Sequence, residues 1–313
     1  MLAYAVRRVL STIPVMLVVA LFVFSLLYIA PGDPAAIIAG DQATAEDVAR
    51  IRASLGLDRP FLFRFGDWLW HIGHGDLGTS IFTNLPVTHM IAQRIEPTLS
   101  LMALTLILSL VCAIPMGVVA AWKHGTWIDR GVMMLAVFGF SVPVFVVGYL
   151  LAWVFALQLN WLPVQGFTPI SEGLWPFLRN LILPTLALGG VYIALIARIT
   201  RATMMEVLSQ DYVRTARAKG VDQRAVLFVH ALKNAAVPIV TVVGLGVALL
   251  IGGAVVTESV FAIPGLGRLT VDAILRRDYP VIQGVVLLFS FVYVLVNLVV
   301  DLLYTVFDPR IRY

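Results

Sequence analysis

The chain has 313 residues, of which 60% are apolar and 13% are charged, and its mean hydropathy is +0.94. A soluble protein carries roughly twice that share of charged residues, so the composition excludes a soluble globular protein and predicts one membrane-embedded domain. The net charge of +4 does not indicate nucleic-acid binding, because the cytoplasmic loops of membrane proteins are often basic. The single cysteine, Cys112, excludes an internal disulfide.

Six apolar segments are long enough, or nearly so, to cross a hydrocarbon core about 30 Å thick. They are Val9–Ala30, Leu99–Ala121, Val132–Leu159, Leu181–Ala197, Ala235–Thr257 and Val281–Val306. The first is predicted to remain uncleaved, since its apolar run is longer than that of a signal peptide. Pro143 in the third allows a kink or a break, and Pro184 lies near the start of the fourth. The pattern predicts an all-α polytopic membrane protein with six transmembrane helices.

Basic residues are distributed unevenly around these segments. If the N-terminus is cytoplasmic, the cytoplasmic pieces hold most of them, whereas the short loops on the other side hold only Arg179, Arg268, Arg276 and Arg277. The positive-inside rule therefore predicts that both termini are cytoplasmic. The long loop Pro31–Thr98 is then external, because loops of this length are translocated largely regardless of their charge.

The long external loop contains one short amphipathic stretch, Thr44–Leu55, which is predicted to be a helix with Thr44 as N-cap and Asp47 in its first turn. An aromatic patch suited to the membrane interface follows it. The members of this patch are Phe61, Phe63, Phe65, Trp68 and Trp70. A tight turn is predicted next, around Asp76, at Gly73, Gly75 and Gly78. Two interpretations of the nearby histidines stay open, a polar interfacial turn or a metal site made by His71, His74 and Asp76.

The most cationic stretch, Asp211–Pro238, lies between the fourth and fifth apolar segments. Its first half is predicted to be a short helix that ends before Gly220, because glycine commonly follows the last turn of a helix. Asp222 is predicted to cap a second helix. Basic residues are expected in any cytoplasmic loop, but a helix–glycine–helix element favours a docking surface for another protein.

Two acids and one row of small residues are further candidates. Glu258 ends the fifth apolar segment and Asp301 lies late in the sixth, and acids at such positions are functional candidates. A structural role is predicted for Asp301, whereas the role of Glu258 stays open. Gly244, Ala248 and Gly252 recur every four residues, which places small groups on one helix face for close packing or for a pathway.

Two kinds of active site are disfavoured by the sequence. No G-x-x-x-x-G-K-[ST] phosphate-binding loop occurs, so any ATP has to be bound by another chain. Gly139-Phe-Ser141-Val-Pro143 resembles a nucleophile elbow, but its last glycine is missing and no histidine lies in a predicted span. Ser141 is therefore predicted to hydrogen-bond within the helices.

The cationic stretch resembles the conserved cytoplasmic loop of ABC importer permeases, in which E-A-A-x-x-x-G is followed by apolar-x-L-P. Gly220 and Pro238 occupy the glycine and proline positions, whereas Arg214, Thr215 and Ala216 stand at E-A-A and only the alanine matches. The form D-Y-x-R-T-A-R-A-K-G of the dipeptide/oligopeptide/nickel branch is matched throughout the first half of the stretch. Further stretches similar to that branch are Pro31–Pro34, Gly75–Gly78, Thr257–Arg268, Arg277–Gln283 and Asp308–Tyr313.

The resemblance covers essentially the whole chain and implies the B-type subunit of such a permease, with the transmembrane domain of a type I ABC importer. Residues 1–94 are then expected to form the first transmembrane helix and a large periplasmic loop. Residues 95–306 are expected to form the other five helices, with a coupling loop at 199–236, and residues 307–313 a cytoplasmic tail. The implied location is the bacterial inner membrane.

The resemblance also implies partners: a paralogous permease subunit that forms a heterodimer with this chain, one or two cytoplasmic ATPase subunits that bind ATP, and a periplasmic or extracellular substrate-binding protein. The chain itself is expected to lie in the lipid bilayer, to carry no catalytic residue, and to bind no nucleic acid, metal or cofactor. A short peptide is the expected substrate, although members of the branch also transport glutathione or nickel.

The cationic stretch would then dock onto an ATPase subunit, with Val213 and Ala216 seated in its groove and three basic side chains meeting acids at the rim. The predicted coupling residues are Asp211, Tyr212, Val213, Arg214, Thr215, Ala216, Arg217, Ala218, Lys219, Gly220, His230, Asn234 and Pro238. The main alternative is a stand-alone ion- or proton-coupled secondary transporter in which Glu258 and Asp301 titrate. An intramembrane hydrolase that depends on Ser141 is a more distant alternative.

Overall fold

The computed structural model describes residues 2–29, 34–39, 43–54 and 56–307, and all regular secondary structure within these ranges is helical. The helices are α1 (Leu2–Ile29), α2 (Pro34–Ala39), α3 (Ala45–Ser54), α4 (Phe61–Gly73), α5 (Val87–Ala92), α6 (Ile95–Trp122), α7 (Trp127–Ser141), α8 (Val144–Leu151), α9 (Leu174–Leu208), α10 (Asp211–Ala218), α11 (Gln223–Ala225), α12 (Leu232–Val260), α13 (Leu266–Arg276) and α14 (Tyr279–Phe307). A π-helical turn, Ala152–Gln158, continues α8, and a second one, Val226–Ala231, joins α11 to α12. The predictions for residues 31–33, 55 and 308–313 lie outside the described residues.

Five helices in the described part of the chain are long and apolar enough to cross a membrane. They are Arg7–Ile29, Val87–Trp122, Leu174–Leu208, Gln223–Val260 and Tyr279–Tyr304. A sixth crossing is formed if α7 and α8 together make one broken span. The predicted second, fourth and fifth segments each fall within one of the five, and the predicted first and sixth segments overlap Arg7–Ile29 and Tyr279–Tyr304 over nearly their whole length, which confirms their positions.

The third predicted span, Val132–Leu159, is broken in the structure. The helix α7 meets Val144–Gln158, which is α8 with its π-helical turn, at an angle of 101°. The break lies at Val142, whose backbone is extended, because the ring of Pro143 disfavours the helical conformation in the residue before it. The predicted kink or break is therefore confirmed as a break.

Two helices are longer than the sequence predicts. The fourth predicted segment, Leu181–Ala197, is only the apolar middle of α9, which has 35 residues and encloses Pro184. The second helix of the cationic stretch is also not a separate element, since Gln223–Val260 forms one continuous helical span. Helical structure therefore continues from the apolar part of α9 to Leu208, three residues before the cationic stretch, and from within that stretch into the fifth apolar segment.

The chain divides into two compact units. The first comprises Met1–Arg94 and Leu269–Val294, and the second comprises Ile95–Arg268 and Leu295–Tyr313. Each unit has a hydrophobic cluster of its own among its described residues.

In the first unit, three members of the predicted aromatic patch pack on α1. The ring of Phe24 lies 5.4 Å from Phe61, 5.5 Å from Phe65 and 5.2 Å from Trp68, measured between centroids. Ring pairs at these separations add about 1 kcal/mol each to the burial of their apolar surface. The α4 helix is thereby held against the first membrane span.

The predicted capped helix of the external loop is confirmed as α3. The Thr44 hydroxyl accepts a hydrogen bond from the Asp47 N–H (3.2 Å), and the Asp47 carboxylate accepts one from the Thr44 N–H (3.2 Å), which is the reciprocal pattern of a capping box. The hydroxyl of Thr44 also donates to the carboxylate, and this bond is the main reason why the pKa of Asp47 lies below its ordinary value.

In the second unit, α9 lies at the centre of the core, with α6, α7, α8 and α12 packed around it. Leu181, Leu188 and Ile196 on α9 are buried. Gly117 lets α6 approach so closely that a Cβ there would lie 2.6 Å from the Cβ of Thr200. The part of α9 that leads to the cationic stretch is therefore packed tightly against α6.

Candidate functional site

The candidate docking surface is α10, which Ser209 and Gln210 connect to the end of α9. Its last turn closes with two hydrogen bonds, from the Gly220 N–H to the Arg217 carbonyl (3.0 Å) and from the Val221 N–H to the Ala216 carbonyl (3.2 Å). Gly220 has a φ of 76°, a left-handed conformation that costs residues with a Cβ about 1–2 kcal/mol. The predicted helix end at this glycine is confirmed.

Val213 faces the interior of the chain. Its side chain is 0% exposed, and α10 packs on the π-helical turn Val226–Ala231. The prediction that Val213 seats in the groove of a partner is therefore wrong, because the amphipathic face of this short helix is already covered by its own chain. Ala216 is half-buried, so it is only partly accessible to a partner.

The outer face of α10 is polar and cationic. Its exposed residues are Asp211, Tyr212, Arg214, Thr215, Arg217, Ala218 and Lys219. An ion pair on this face joins Arg214 to Asp211 at 3.5 Å, and both side chains are strongly exposed. A pair of this kind contributes little to stability, so the positive charge of the face is available to an acidic partner.

Tyr212 fastens α10 to the start of α12. Its side chain hydrogen-bonds with Asn234, whose own amide donates to the carbonyl of His230 at 2.7 Å. Partial burial raises the pKa of Tyr212, and the hydrogen bond with Asn234 opposes this shift. His230, Asn234 and Pro238 are all exposed along the same helical stretch, so these three predicted residues line the helix that supports α10.

The predicted cap at Asp222 is confirmed. Its carboxylate accepts a hydrogen bond from the Arg224 N–H at 2.9 Å, at the start of α11. An acid at this position also interacts favourably with the positive end of the helix dipole. The cap begins a helix that continues without interruption to Val260.

A buried ion pair that the sequence analysis missed lies on α9, two turns before its end. Arg201 binds both carboxylate oxygens of Asp129, through Nε and through Nη2, the latter at 2.8 Å. The same carboxylate accepts hydrogen bonds from the Gly125 N–H (3.0 Å) and contacts His124 Nδ1 at 3.1 Å. Asp129 is only 3% exposed.

This cluster ties the end of α9 to the turn between α6 and α7. Arg201 appears in the sequence only as one basic residue among many on the predicted cytoplasmic side, and 72 residues separate it from Asp129. The signal that could have drawn attention to it is an acid in the first turn of an otherwise apolar helix. The ion pair between Asp129 and Arg201 is therefore a second contact, in addition to that of Tyr212, that determines where α10 lies.

Glu258 is fully buried at the far end of α12. Its Oε1 accepts a hydrogen bond from the Thr98 hydroxyl at 2.6 Å, and its Oε2 accepts one from the Arg268 N–H at 2.9 Å. The Gly267 N–H is a further donor, and the Thr98 hydroxyl in turn accepts from the Leu266 N–H at 2.8 Å. Glu258 thus organises the turn between α12 and α13.

Two glycines make room for this carboxylate. A Cβ on Gly265 would lie 2.3 Å from the Glu258 carboxyl carbon, and one on Gly267 would lie 2.6 Å from the Cα of Val255. The sequence Thr257–Arg268 that resembles the permease branch is therefore a compact turn built around one acid. These contacts support a structural role for Glu258.

The predicted row of small residues on α12 does not form one uniform packing face. Gly244 lies against Val300, where a Cβ would come within 2.5 Å of Cγ2, whereas a Cβ on Gly252 would meet nothing within 4 Å. Ala248, between them, is half-buried. Asp301 is half-buried on α14 and engaged by neighbouring groups.

The residues of the two active sites considered in the sequence analysis, the hydrolase serine and the histidine metal site, make ordinary local contacts. Ser141 donates to the carbonyl of Val137 at 2.8 Å, as predicted for a serine in a membrane helix. His71 approaches Asp76 at 3.4 Å, while His74 contacts the carbonyl of Trp70 instead. No group of three or more potential metal ligands occurs among the residues that the structure describes. The predicted tight turn beside these histidines is confirmed, since Gly75 and Gly78 have positive φ angles.

Comparison with known proteins shows likeness over the whole length. The sequence-family model for the binding-protein-dependent transport system inner membrane component matches residues 113–313. The family model for the N-terminal part of such membrane components matches residues 1–102. A probable peptide ABC transporter permease of Sinorhizobium fredii is 55% identical, with 99% of each chain covered. The dipeptide permease DppB of Alkalihalophilus pseudofirmus is 41% identical and the glutathione permease GsiC of Salmonella choleraesuis 45%, with 100% of each chain covered.

The MetNI methionine ABC transporter, solved in inward-facing conformations, has a similar fold. Its matched chain is 16% identical with a TM-score of 0.58, over 70% of this chain and 96% of its own length. This likeness agrees with the predicted type I importer fold. The matches to two family models and the full-length identity to permeases show that the chain belongs to the family of binding-protein-dependent transport system inner membrane components.

Proposed function

We propose that the chain is one of two paralogous permease subunits of an ABC importer for short peptides, and that α10 transmits movement from an ATPase subunit to the membrane helices. The full-length likeness to peptide, dipeptide and glutathione permeases supports this substrate class. ATP is bound and hydrolysed by one or two separate ATPase subunits, and a substrate-binding protein delivers the solute. This chain contributes the pathway and carries no catalytic residue.

The observation that carries the coupling proposal is the placement of α10. It is an exposed cationic helix attached to the ends of two span-length helices, α9 and the continuous helix Gln223–Val260. A force on α10 reaches α9 through a two-residue link and reaches the second helix through Val213 and Tyr212. No third element has to move first.

The mechanism follows from these attachments. Closure of the ATPase dimer displaces α10, and α9 moves with it because only two residues separate the helices. The ion pair between Asp129 and Arg201 extends the movement to α7, the first half of the broken span. ATP hydrolysis reverses the displacement, and the pathway alternates between outward and inward access.

Reconstitution of the complete transporter in liposomes tests the proposal. We expect Gly220→Val to lose ATP-driven uptake while the complex still assembles, because the left-handed turn that orients α10 is strained by a β-branched residue. Ala216→Asp and the double charge reversal of Arg214 and Arg217 to glutamate are expected to have the same effect. The matched control is Arg224→Glu, which reverses an exposed charge on α11.

The coupling role of α10 and the substrate class are tested by different outcomes. Normal uptake by all three variants, at normal expression, would overturn the assignment of α10. Uptake by this chain alone, driven by an ion gradient and indifferent to ATP, would establish the secondary-transporter alternative. Competition among dipeptides, longer peptides and glutathione then identifies the substrate; failure of every peptide to compete would overturn the substrate class and leave the coupling assignment standing.

A further inference from the structure

The outer face of α4 is apolar and exposed in the first unit. Leu62 is 76% exposed, Phe63 75% and Trp70 68%. The neighbouring face of the helix is already occupied, because Phe65 and Trp68 pack with α1 and α14 in one hydrophobic cluster. The helix is therefore apolar on two adjoining faces, and only one of them is covered by this chain.

Polar residues of α4 occupy a separate sector. At about 100° per residue, Leu62, Phe63 and Trp70 fall within an arc of about 100° that adjoins the packed face. Asp67 and His71 follow in the next sector, and both are exposed. This division into one broad apolar sector and one narrow polar sector is typical of a helix that lies in the plane of a membrane interface.

The position at which α4 packs along α1 also favours a location at the membrane interface. Its cluster includes Val23 and Ala20 of α1, which precede the end of that helix at Ile29 by about 9 and 13 Å at 1.5 Å per residue. Leu287 of α14 belongs to the same cluster and lies about 12 Å beyond the first residue of that helix, Tyr279. A helix packed at this depth beside two membrane spans lies next to lipid.

We propose that α4 is an interfacial helix whose face of Leu62, Phe63 and Trp70, the α4 outer face, is embedded in the lipid of the outer leaflet. Its aromatic rings match the boundary between headgroups and acyl chains, where tryptophan is enriched. Arg64 is held inward, since its guanidinium hydrogen-bonds with the Tyr28 hydroxyl and lies 5.3 Å from the centre of that ring. The binding protein then docks elsewhere, because lipid occupies this surface.

Site-directed spin labelling of the complete transporter in lipid nanodiscs tests the proposal. Single cysteines replace Leu62, Phe63 or Trp70, and Asp67 or His71 as controls, in a background in which the natural Cys112 is changed to alanine. Collision rates of each nitroxide are measured with oxygen, which concentrates in lipid, and with a water-soluble nickel chelate. All five side chains are exposed, so the labels should be tolerated.

We expect the ratio of oxygen to nickel accessibility to be several-fold higher at the three outer-face positions than at the two controls. Equal ratios at all five positions would place the α4 outer face in water and overturn the proposal. Immobile labels that neither reagent reaches would show that another subunit covers the face, which would also overturn it. The outer-face ratios are further expected to stay unchanged when saturating substrate-binding protein is added, and a fall in oxygen access would contradict this.

Discussion

Two buried carboxylates in the second unit, Asp129 and Glu258, are held in different ways. Asp129 lies against a guanidinium that binds both of its oxygens, with two further contacts from the neighbouring turn. The partners of Glu258 are instead a hydroxyl and backbone N–H groups. One acid joins two helices through a partner of opposite charge, whereas the other organises a single turn.

The two arrangements predict different consequences when each acid is lost. An ion pair has one principal partner, so the two side chains can be removed together and replaced by apolar groups. A carboxylate that satisfies backbone donors has no such partner, because the N–H groups remain whatever residue replaces it. Loss of Asp129 should therefore be repairable at a second position, and loss of Glu258 should not.

Glu258→Ala is expected to have the largest effect. It leaves the Thr98 hydroxyl and the N–H groups of Gly267 and Arg268 without their acceptor, at about 1–3 kcal/mol for each buried donor. We expect a loss of roughly 3–6 kcal/mol in the free energy of unfolding, measured as a lowered thermal midpoint of the purified complex in nanodiscs. Ser259→Ala, on the exposed neighbour, is the control. A midpoint within the range of that control would contradict the structural role.

Asp129→Ala should cost about 3 kcal/mol, because it leaves the half-buried Arg201 guanidinium without its counter-ion. Asp129→Leu combined with Arg201→Met is expected to recover most of this loss, since a buried pair can be replaced by apolar residues. The same nanodisc measurement applies, with Arg198→Ala as a control for loss of an exposed cation. If the double variant is no more stable than Asp129→Ala, the two residues are not coupled as the structure indicates.

A glycine beside each acid provides the smallest and finest test. Gly265→Ala is expected to cost about 2–3 kcal/mol, because the new Cβ has no room beside the Glu258 carboxyl group. Gly125→Ala, beside Asp129, should cost about 1 kcal/mol, since its Cβ meets nothing within 4 Å and only the φ of 78° is unfavourable. Thermal midpoints that rank the two variants in the opposite order would contradict this account of the Glu258 turn.

Local signals in the sequence were sufficient for several elements. The apolar segments, the cap at Thr44, the cap at Asp222 and the helix end at Gly220 were predicted correctly, because each depends on residues within a few positions of one another. The resemblance to permeases was carried by ordered stretches along the whole chain and agrees with the family matches.

The contacts at the candidate site were not predictable in the same way. The sequence could place Val213 on an apolar face of α10, but it could not show that the chain's own π-helical turn covers that face. The partner of Asp129 is 72 residues away and the Thr98 partner of Glu258 is 160 residues away. Nothing in the local pattern singles out one arginine or one threonine among many.

Hydrophobicity, capping and left-handed turns act over short distances, so the sequence alone predicts the membrane character of the chain, most of its helices and several of the positions where they begin or end. The three-dimensional structure was needed to show which side chains meet, how sharply the third predicted span breaks and which face of α10 remains exposed. The physical reason is that burial and pairing of polar groups depend on helices brought together from distant parts of the chain.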